Sequence, residues 1–556
     1  MLPSMNSSRA RLELPLVAAI AALLFYTVAS TSVYSISPSS LGLIEVLPLP
    51  FWVGLALIGA LFYFGRESKY YSAAAFVLLI GYLYATPTLV KEPVWISNSY
   101  YPFAEGELIT ETGHLVLRSL DILTSYHYWP LFLYFSSILT QLTRIPTDMI
   151  LKGFPLLTIM LYGCFTYLII RIRLKPSHAI LGSAWLLGSF WLRQQYFGPP
   201  GIGFIFFLLI IFVLLKLYFS PTHQRGLLLV LVLSFVAITL THSLTTVMTL
   251  AVTGALLLVQ LLFQKKSLTI LVPILAVYAL IVSTYYMLFI PRGFLALMYQ
   301  NMIESIMQFI TKGPLQEGGR VPGSEAQQLS YMSSWAIVGI NAAIAGVASV
   351  LVLKDVLLKK AKDYHSIFMI LFVAVMGVFG LTISYGAHEG YQRAFMFGLA
   401  PLTYLSIRLL RSKPQLICIA IVALAFLNVP AQYGSDTFRL ANAEQLEGSS
   451  FFAIHAPEDA ECLTKFSLEI RYYAPDKHFR FFSIGKLPFT SVPNATTVSQ
   501  QIEEADYVIL SDLLNNYYIY YLSVNPFDAV DLTESGRIYD NLGFQVFEPP
   551  HSDNMP

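Results

Sequence analysis

Thirteen stretches of the chain are apolar for close to the length that crosses a bilayer, and that repetition limits the fold more than any other feature. They are Leu14–Ser35, Pro48–Gly65, Tyr70–Val90, Ile150–Ile170, His178–Leu192, Ile202–Phe219, Gly226–Leu240, Ser243–Phe263, Leu268–Ile290, Tyr331–Leu353, Ser366–Ser384, Ala394–Leu410 and Leu416–Pro430. A hydrocarbon core of about 30 Å takes about 20 helical residues. Within hydrocarbon each segment must satisfy its own backbone N–H and C=O groups, so the runs predict helices. Charge agrees: 12% of the residues are charged, against about 25% in soluble proteins. The expected fold is a polytopic α-helical membrane protein with about 13 transmembrane helices.

Orientation follows from the cations. Arg9 and Arg11 precede a first run that is too long for a signal peptide and lacks a cleavage site, which predicts a retained span. With the N-terminus in the cytoplasm, one face collects Arg66, Lys69, Arg171, Arg173, Lys175, Arg225, Lys265, Lys266, the Lys354–Lys362 cluster, Arg408, Arg411 and Lys413, as the positive-inside rule requires. That alternation holds only if the short apolar stretch Pro130–Thr143 does not cross, so it is expected as a juxtamembrane or re-entrant helix. The polar connection 91–149 then faces outward, together with Pro291–Ser330. The latter contains GPLQEGGRVPGSEAQQ and reads as a mobile loop.

Composition changes after residue 431. The division expected is a transmembrane domain over 1–431, with its outer loop at 91–149, and a soluble extracytoplasmic α/β domain over 432–556. In the latter, ADYVILSD predicts a buried strand, and Gly536–Pro549 predicts a hairpin turning at Asn541-Leu-Gly543. The triplet Asn494-Ala-Thr496 has the form of a glycosylation acceptor. A net charge of +1 offers no basic footprint, so nucleic acid is not an expected partner. Cys164, Cys418 and Cys462 are too scattered to argue for a zinc site or a disulfide framework.

Candidate chemistry collects on the outward side. A helix expected over Phe103–Leu120 would carry Glu107, Glu111, His114 and Arg118 on one face, either as a solvated face of weak ion pairs or as part of a site. Glu105 falls on a less polar face, continued by Ile109, Thr112 and Val116. Partial burial there would suit it to act as a base, and capping of the helix N-terminus is the alternative. Tyr126, His127, Tyr128 and Trp129 lead into Pro130, as interfacial aromatic anchors commonly do. His242 lies in an outer turn, Thr241-His-Ser-Leu-Thr245. Arg193 opens Arg193-Gln-Gln-Tyr-Phe-Gly-Pro-Pro200, and Glu389 and Arg393 stand at i, i+4 spacing. Polar residues beside bilayer depth are expensive and tend to be functional. A carboxylate with arginine or histidine is the equipment needed to take a proton from an acceptor and steady a departing phosphate.

Several of these segments carry a resemblance. Ile109-Thr-Glu-Thr-Gly-His-Leu115, Tyr126-His-Tyr-Trp-Pro-Leu-Phe132 and Leu139-Thr-Gln-Leu-Thr-Arg-Ile145 resemble the first outer loop of prokaryotic GT-C glycosyltransferases, the polytopic class that uses polyprenyl-phosphate sugars. Gln195-Tyr-Phe-Gly-Pro-Pro200 is similar to a DYFSPQ-like turn of one such group, Thr241–Thr245 to its SHQLTP-like turn, and Glu389–Pro401 to its GE…R…LP stretch. The likeness spans roughly Tyr70–Leu410. It departs from the pattern at Asn98, near the usual place of the catalytic acid, and in QYFGPP, which lacks the acid of DYFSPQ.

The resemblance implies an inverting hexosyl- or pentosyltransferase that moves a sugar from a polyprenyl (dolichyl-type) phosphate to an extracytoplasmic glycan, lipid or protein at the cell membrane. Glu105 or Glu107 would be its base. Arg393 and His242 would hold the phosphate, with Glu389, His114 and Arg193 nearby, and Tyr126, His127 and Trp129 would lie against lipid or sugar. No cofactor is certain; a divalent metal would fit the chemistry, with ligands unknown. The alternative is a transporter or flippase, or an accessory subunit, for lipid-linked glycans. Transporters favour inverted repeats and midplane polar groups, and neither is evident here.

Overall fold

The computed structural model describes residues 7–32, 41–90, 94, 96–115, 123–219, 224–264, 271–312, 323–360, 363–382, 389–434, 441–484 and 492–550. The membrane part begins with α1 (Ser7–Thr31), the short α2 (Leu43–Val46), α3 (Leu49–Gly65), α4 (Lys69–Ile80) and α5 (Thr86–Val90), the last two joined by a π-helical turn at Gly81–Ala85. The polar connection between the third and fourth apolar runs contributes α6 (Tyr100–Thr112) and α7 (Leu131–Thr143). Then come α8 (Thr147–Arg171), α9 (Pro176–Ser189), α10 (Pro199–Phe219), α11 (Gln224–Thr241), α12 (Ser243–Val259), α13 (Leu271–Phe289) and α14 (Arg292–Lys312). Helices α15 (Glu325–Leu357), α16 (Tyr364–Thr382), α17 (Glu389–Leu410) and α18 (Pro414–Tyr433) complete it.

Each of the thirteen apolar runs lies on one of these helices over most of its described length. Among the described residues, eight helices are long and apolar enough to cross a membrane, and four shorter apolar helices accompany them. The chain is a multi-pass membrane protein.

Two expectations need correction. The helix predicted to reach Leu120 stops at Thr112, because Gly113 adopts φ 77° and its N–H caps Ile109 O at 2.9 Å, a left-handed terminus that glycine takes without strain. His114 therefore leaves the Glu107–Glu111 face, and Arg118 lies outside the described residues. The connection Pro291–Ser330 is not one loop. Residues Arg292–Lys312 form α14, whose apolar positions recur at helical spacing, and Ser324 caps α15 by accepting from Gln327 N–H. The stretch 313–322 lies outside the described residues.

Helix α9 explains how the bundle fixes the turn that follows it. It has 14 residues, about 21 Å at 1.5 Å each, so the chain leaves helical geometry while still buried. Its last carbonyls are met by side chains from other helices. The Tyr84 hydroxyl lies 2.6 Å from Leu187 O and 2.8 Å from Phe190 O. Asn428 Nδ2 donates to Gly188 O at 3.1 Å, Gln432 Nε2 donates to Phe190 O at 2.9 Å, and Gln432 Nε2 also contacts Asn428 Oδ1. Trp185 Nε1 donates to Asn341 Oδ1 at 2.8 Å, and Asn341 Nδ2 donates to Ser189 Oγ at 3.0 Å. Irregular backbone inside a bilayer survives only when protein satisfies it in this way.

The C-terminal residues form α19 (Ala443–His455), β1 (Glu461–Leu463), α20 (Leu468–Tyr473), β2 (Arg480–Phe482), α21 (Ala495–Glu503), β3 (Tyr507–Ser511), α22 (Asp512–Leu522), β4 (Gly536–Asp540) and β5 (Phe544–Glu548). The sheet order is β2-β1-β3-β5-β4. β1 runs parallel to β2 and β3, and β5 pairs antiparallel with β3 and β4. The predicted strand is β3. The predicted hairpin is β4–β5, with Leu542 at φ 72° in its turn. This sheet and its helices rest on the membrane part: Tyr472 packs against Tyr100 and Phe103, and Ser324 N–H donates to Tyr520 O at 3.0 Å.

Candidate active site

The site is built outward from α6. A tight turn, Ser97–Ser99, precedes it, and the Ser99 hydroxyl accepts Phe197 N–H at 3.2 Å, pinning the helix start to the turn after α9. Along α6, Gly106 faces α7 so closely that a Cβ there would stand 2.4 Å from Ser136 Oγ and 3.1 Å from Ser137 N. One turn later, the Thr110 and Ser137 hydroxyls meet at 2.8 Å. Small residues allow this approach, as they do between helices in membranes generally.

The turn Leu123–Tyr128 covers another side of α6, with the Tyr126 and Tyr101 ring centroids 6.1 Å apart, and it decides which carboxylate is inside. Positions two apart on a helix are about 200° apart around its axis, so Glu105 and Glu107 look in nearly opposite directions. Glu105 is 1% exposed, and its Oε2 lies 3.1 Å from Nε2 of His127, itself 4% exposed. A carboxylate so deeply buried must be paired, and the imidazole does so. Glu107 is half-buried on the side of Tyr472. Burial, and then the neighbouring Glu111, push its carboxyl above the usual range. His114 lies exposed past the helix end, Nδ1 2.9 Å from Thr112 O.

The turn after α9 brings the other candidates to the same place. Arg193 is buried in a left-handed conformation, φ 54°. Arg393, on the second turn of α17, donates from Nη1 to Gln194 Oε1 at 2.7 Å. Tyr196 hydroxyl meets Tyr126 hydroxyl at 3.3 Å, next to His127 in sequence. His242 caps α12: its Nδ1 accepts Thr245 N–H at 3.4 Å and lies 2.8 Å from Thr245 Oγ1. With Nδ1 accepting, the proton of the neutral ring sits on Nε2. Burial, and then the nearby Arg393 cation, hold the ring well below its ordinary pKa. His242 is thus a neutral donor at pH 7, rather than a second cation.

The remaining predicted residues divide. Trp129 is buried among Tyr128, Tyr286 and Phe294, with ring centroids 5.9 Å from Phe294 and 6.3 Å from Tyr286. Glu389 opens α17, and its side chain lies outside the described residues. The sequence reading missed Gln194 and Tyr196 as contacts, although polar residues between two apolar runs were the available signal. It also missed Glu469. That carboxyl is fully buried on α20 against Ser97 and Tyr100, and burial raises it to about 7.

An apolar cleft of about 330 Å³ opens between α11 and α13, lined by Val236, Thr239, Leu280, Ile281, Tyr285 and Phe289. The Tyr285 hydroxyl donates to Tyr128 O at 2.8 Å, tying the cleft to the segment that carries His127. Among the described residues no group of three or more His, Cys, Asp or Glu could hold a metal ion. Glu105 with His127 supplies two donors, short of a closed protein site.

The chain matches no protein-family profile and no curated protein. Solved structures similar to it include the Archaeoglobus fulgidus oligosaccharyltransferase, in complex with zinc and sulfate. That similarity has 12% identity over 91% of this chain and 74% of that one, with a TM-score of 0.49. ArnT from Cupriavidus metallidurans bound to undecaprenyl phosphate is similar at 10% identity over 87% of this chain and 98% of that one, with a TM-score of 0.46. ArnT in the apo state gives 11%, 87%, 99% and 0.35 for the same measures.

Proposed function

We propose that the chain is a GT-C-type membrane glycosyltransferase that moves a sugar from a polyprenyl-phosphate donor to an extracytoplasmic acceptor. The observation that carries this reading is the convergence, at one end of the helices, of a buried Glu105–His127 pair with the Arg393–Gln194 and His242 donors. The Tyr126–Tyr196 contact joins the two halves. In the reaction, the Glu105–His127 pair takes the proton of the acceptor hydroxyl. The acceptor oxygen then bonds to the anomeric carbon from the face opposite the phosphate. As the old carbon–oxygen bond breaks, its electron pair stays with the phosphate, and the configuration inverts.

The Arg393 guanidinium and His242 Nε2–H meet the charge that develops on the leaving phosphate, where preorganised donors are worth most. The cleft between α11 and α13 would receive the prenyl chain.

The N-terminus belongs in the cytoplasm in this reading. Arg173, Arg408 and Arg411 gather at the opposite end of the bundle from the site, with His178 Nε2 3.0 Å from Arg411 O and Arg173 over the Phe219 ring. Residues 432–556 form the extracytoplasmic unit beside the site. The test is transfer of radiolabelled sugar from polyprenyl phosphates in membranes, comparing wild type with Arg393→Ala. Arg393-dependent transfer supports the reading. Translocation of a lipid-linked glycan with no transfer would place the chain with the flippases instead.

A further inference from the structure

Helix α14 leaves an apolar stripe bare. Tyr299, Ile303, Met307 and Ile310 are 62%, 41%, 52% and 67% exposed, and their spacing of four, four and three residues puts them on one face of a helix. Gln300, Glu304 and Thr311 are exposed on the flank beside it, where Gln300 Nε2 donates to Glu304 Oε1 at 2.8 Å. An apolar stripe with a polar flank is the pattern of a helix that lies in a membrane surface rather than crossing it.

Continuity says what covers the stripe. The last turns of α13 are among the barest apolar surfaces in the chain, with Met287, Leu288 and Phe289 all strongly exposed, and α13 is long and apolar enough to span. Pro291, which cannot continue the helical hydrogen bonding, separates α13 from α14. The exposed apolar end of the span thus leads, across a two-residue joint, into the helix that carries the stripe. Phe294, on the first turn of α14, packs 4.9 Å from Tyr128 and 5.9 Å from Trp129. This puts the start of the helix beside the segment that carries His127.

We propose that α14 lies in the interfacial layer of the bilayer on the face that carries the site, with Tyr299, Ile303, Met307 and Ile310 in the acyl region. The occupant of the stripe is lipid. Through Phe294 the helix couples the bilayer surface to the segment holding His127. This goes beyond the glycosyltransferase reading and does not depend on it.

The test uses the full chain in liposomes of phosphatidylcholine and phosphatidylglycerol, with its three cysteines replaced. Spin labels are placed singly at positions 303, 307 and 310 and at 300, 304 and 311. Accessibility to oxygen, which concentrates in lipid, is compared with accessibility to a water-soluble nickel chelate. The expected result is a high oxygen-to-nickel ratio at 303, 307 and 310, and a lower one at the flank positions. High nickel accessibility at all six would put the helix in water and overturn the proposal. Exclusion of both reagents from 303, 307 and 310 would mean that protein covers the stripe, and would overturn it equally.

Discussion

If Glu105 and His127 act as one proton-accepting unit, removing either should cost nearly as much as removing both. Glu105→Gln is the informative change. The amide oxygen can still accept a hydrogen bond from His127 at the observed 3.1 Å but cannot take a proton at neutral pH. Loss of a general base slows the reaction by about 10²–10⁴-fold, which is roughly 2.7–5.4 kcal/mol of barrier. Stability changes much less. Exchanging a charge-assisted hydrogen bond for a neutral one costs about 1–2 kcal/mol, so the variant stays folded. Glu105→Ala would be a poor substitute, since it strands a buried ring nitrogen and opens a cavity between α6 and the His127 segment.

Initial rates of sugar transfer, with donor affinity measured in parallel, are compared for Glu105→Gln, His127→Gln and the double variant. Groups that act as a unit are strongly non-additive, so the double should be no slower than the slower single, with donor affinity unchanged. Glu107→Gln, on the opposite side of α6, should transfer like wild type. Multiplying losses would show two independent roles, and a silent Glu105→Gln would refute the base assignment altogether.

Arg393→Ala should weaken donor binding and rate together, because the cation meets the phosphate before and during its departure. Gln194→Ala, which removes the 2.7 Å partner of that cation, should weaken donor binding by about 1.5–3 kcal/mol, roughly 10- to 150-fold, with a smaller effect at saturating donor. Glu469 predicts a pH effect on stability. Its carboxyl rises from 4.5 to about 7 on folding, so the unfolded chain ionises first. The stability present below about 4.5 is lost as pH rises through 7, by an amount on the order of 3 kcal/mol. Glu469→Gln should flatten that decline in thermal unfolding and be the more stable form above pH 7, and parallel pH curves would contradict this. Gly106→Val should force α6 and α7 apart at Ser136 and Ser137 and destabilise by about 1–3 kcal/mol, read as a lowered Tm together with reduced transfer.

The sequence alone determined what is local. A run of apolar residues must close its own backbone hydrogen bonds in lipid, so its length and polarity were enough to mark the helices that carry the thirteen runs. A short apolar run marked β3, and an Asn-Leu-Gly turn marked the β4–β5 hairpin, both local signals. Gly113 also carried its signal in plain view, and it ended α6 against the longer amphipathic reading. The Gly/Pro-rich stretch after α14 drew attention from the helical period before it. The site was different, because its contacts join residues far apart in the chain: Gln194 and Arg393 are 199 positions apart, and Glu105 and His127 are 22. Two glutamates two residues apart look equivalent in sequence. Only the tertiary structure, by laying the Tyr126–His127 segment against Tyr101 and Glu105, decided that Glu105 is sealed against an imidazole while Glu107, on the side of Tyr472, stays half-open. Burial depends on what packs over a residue, and that is a property of the assembled fold.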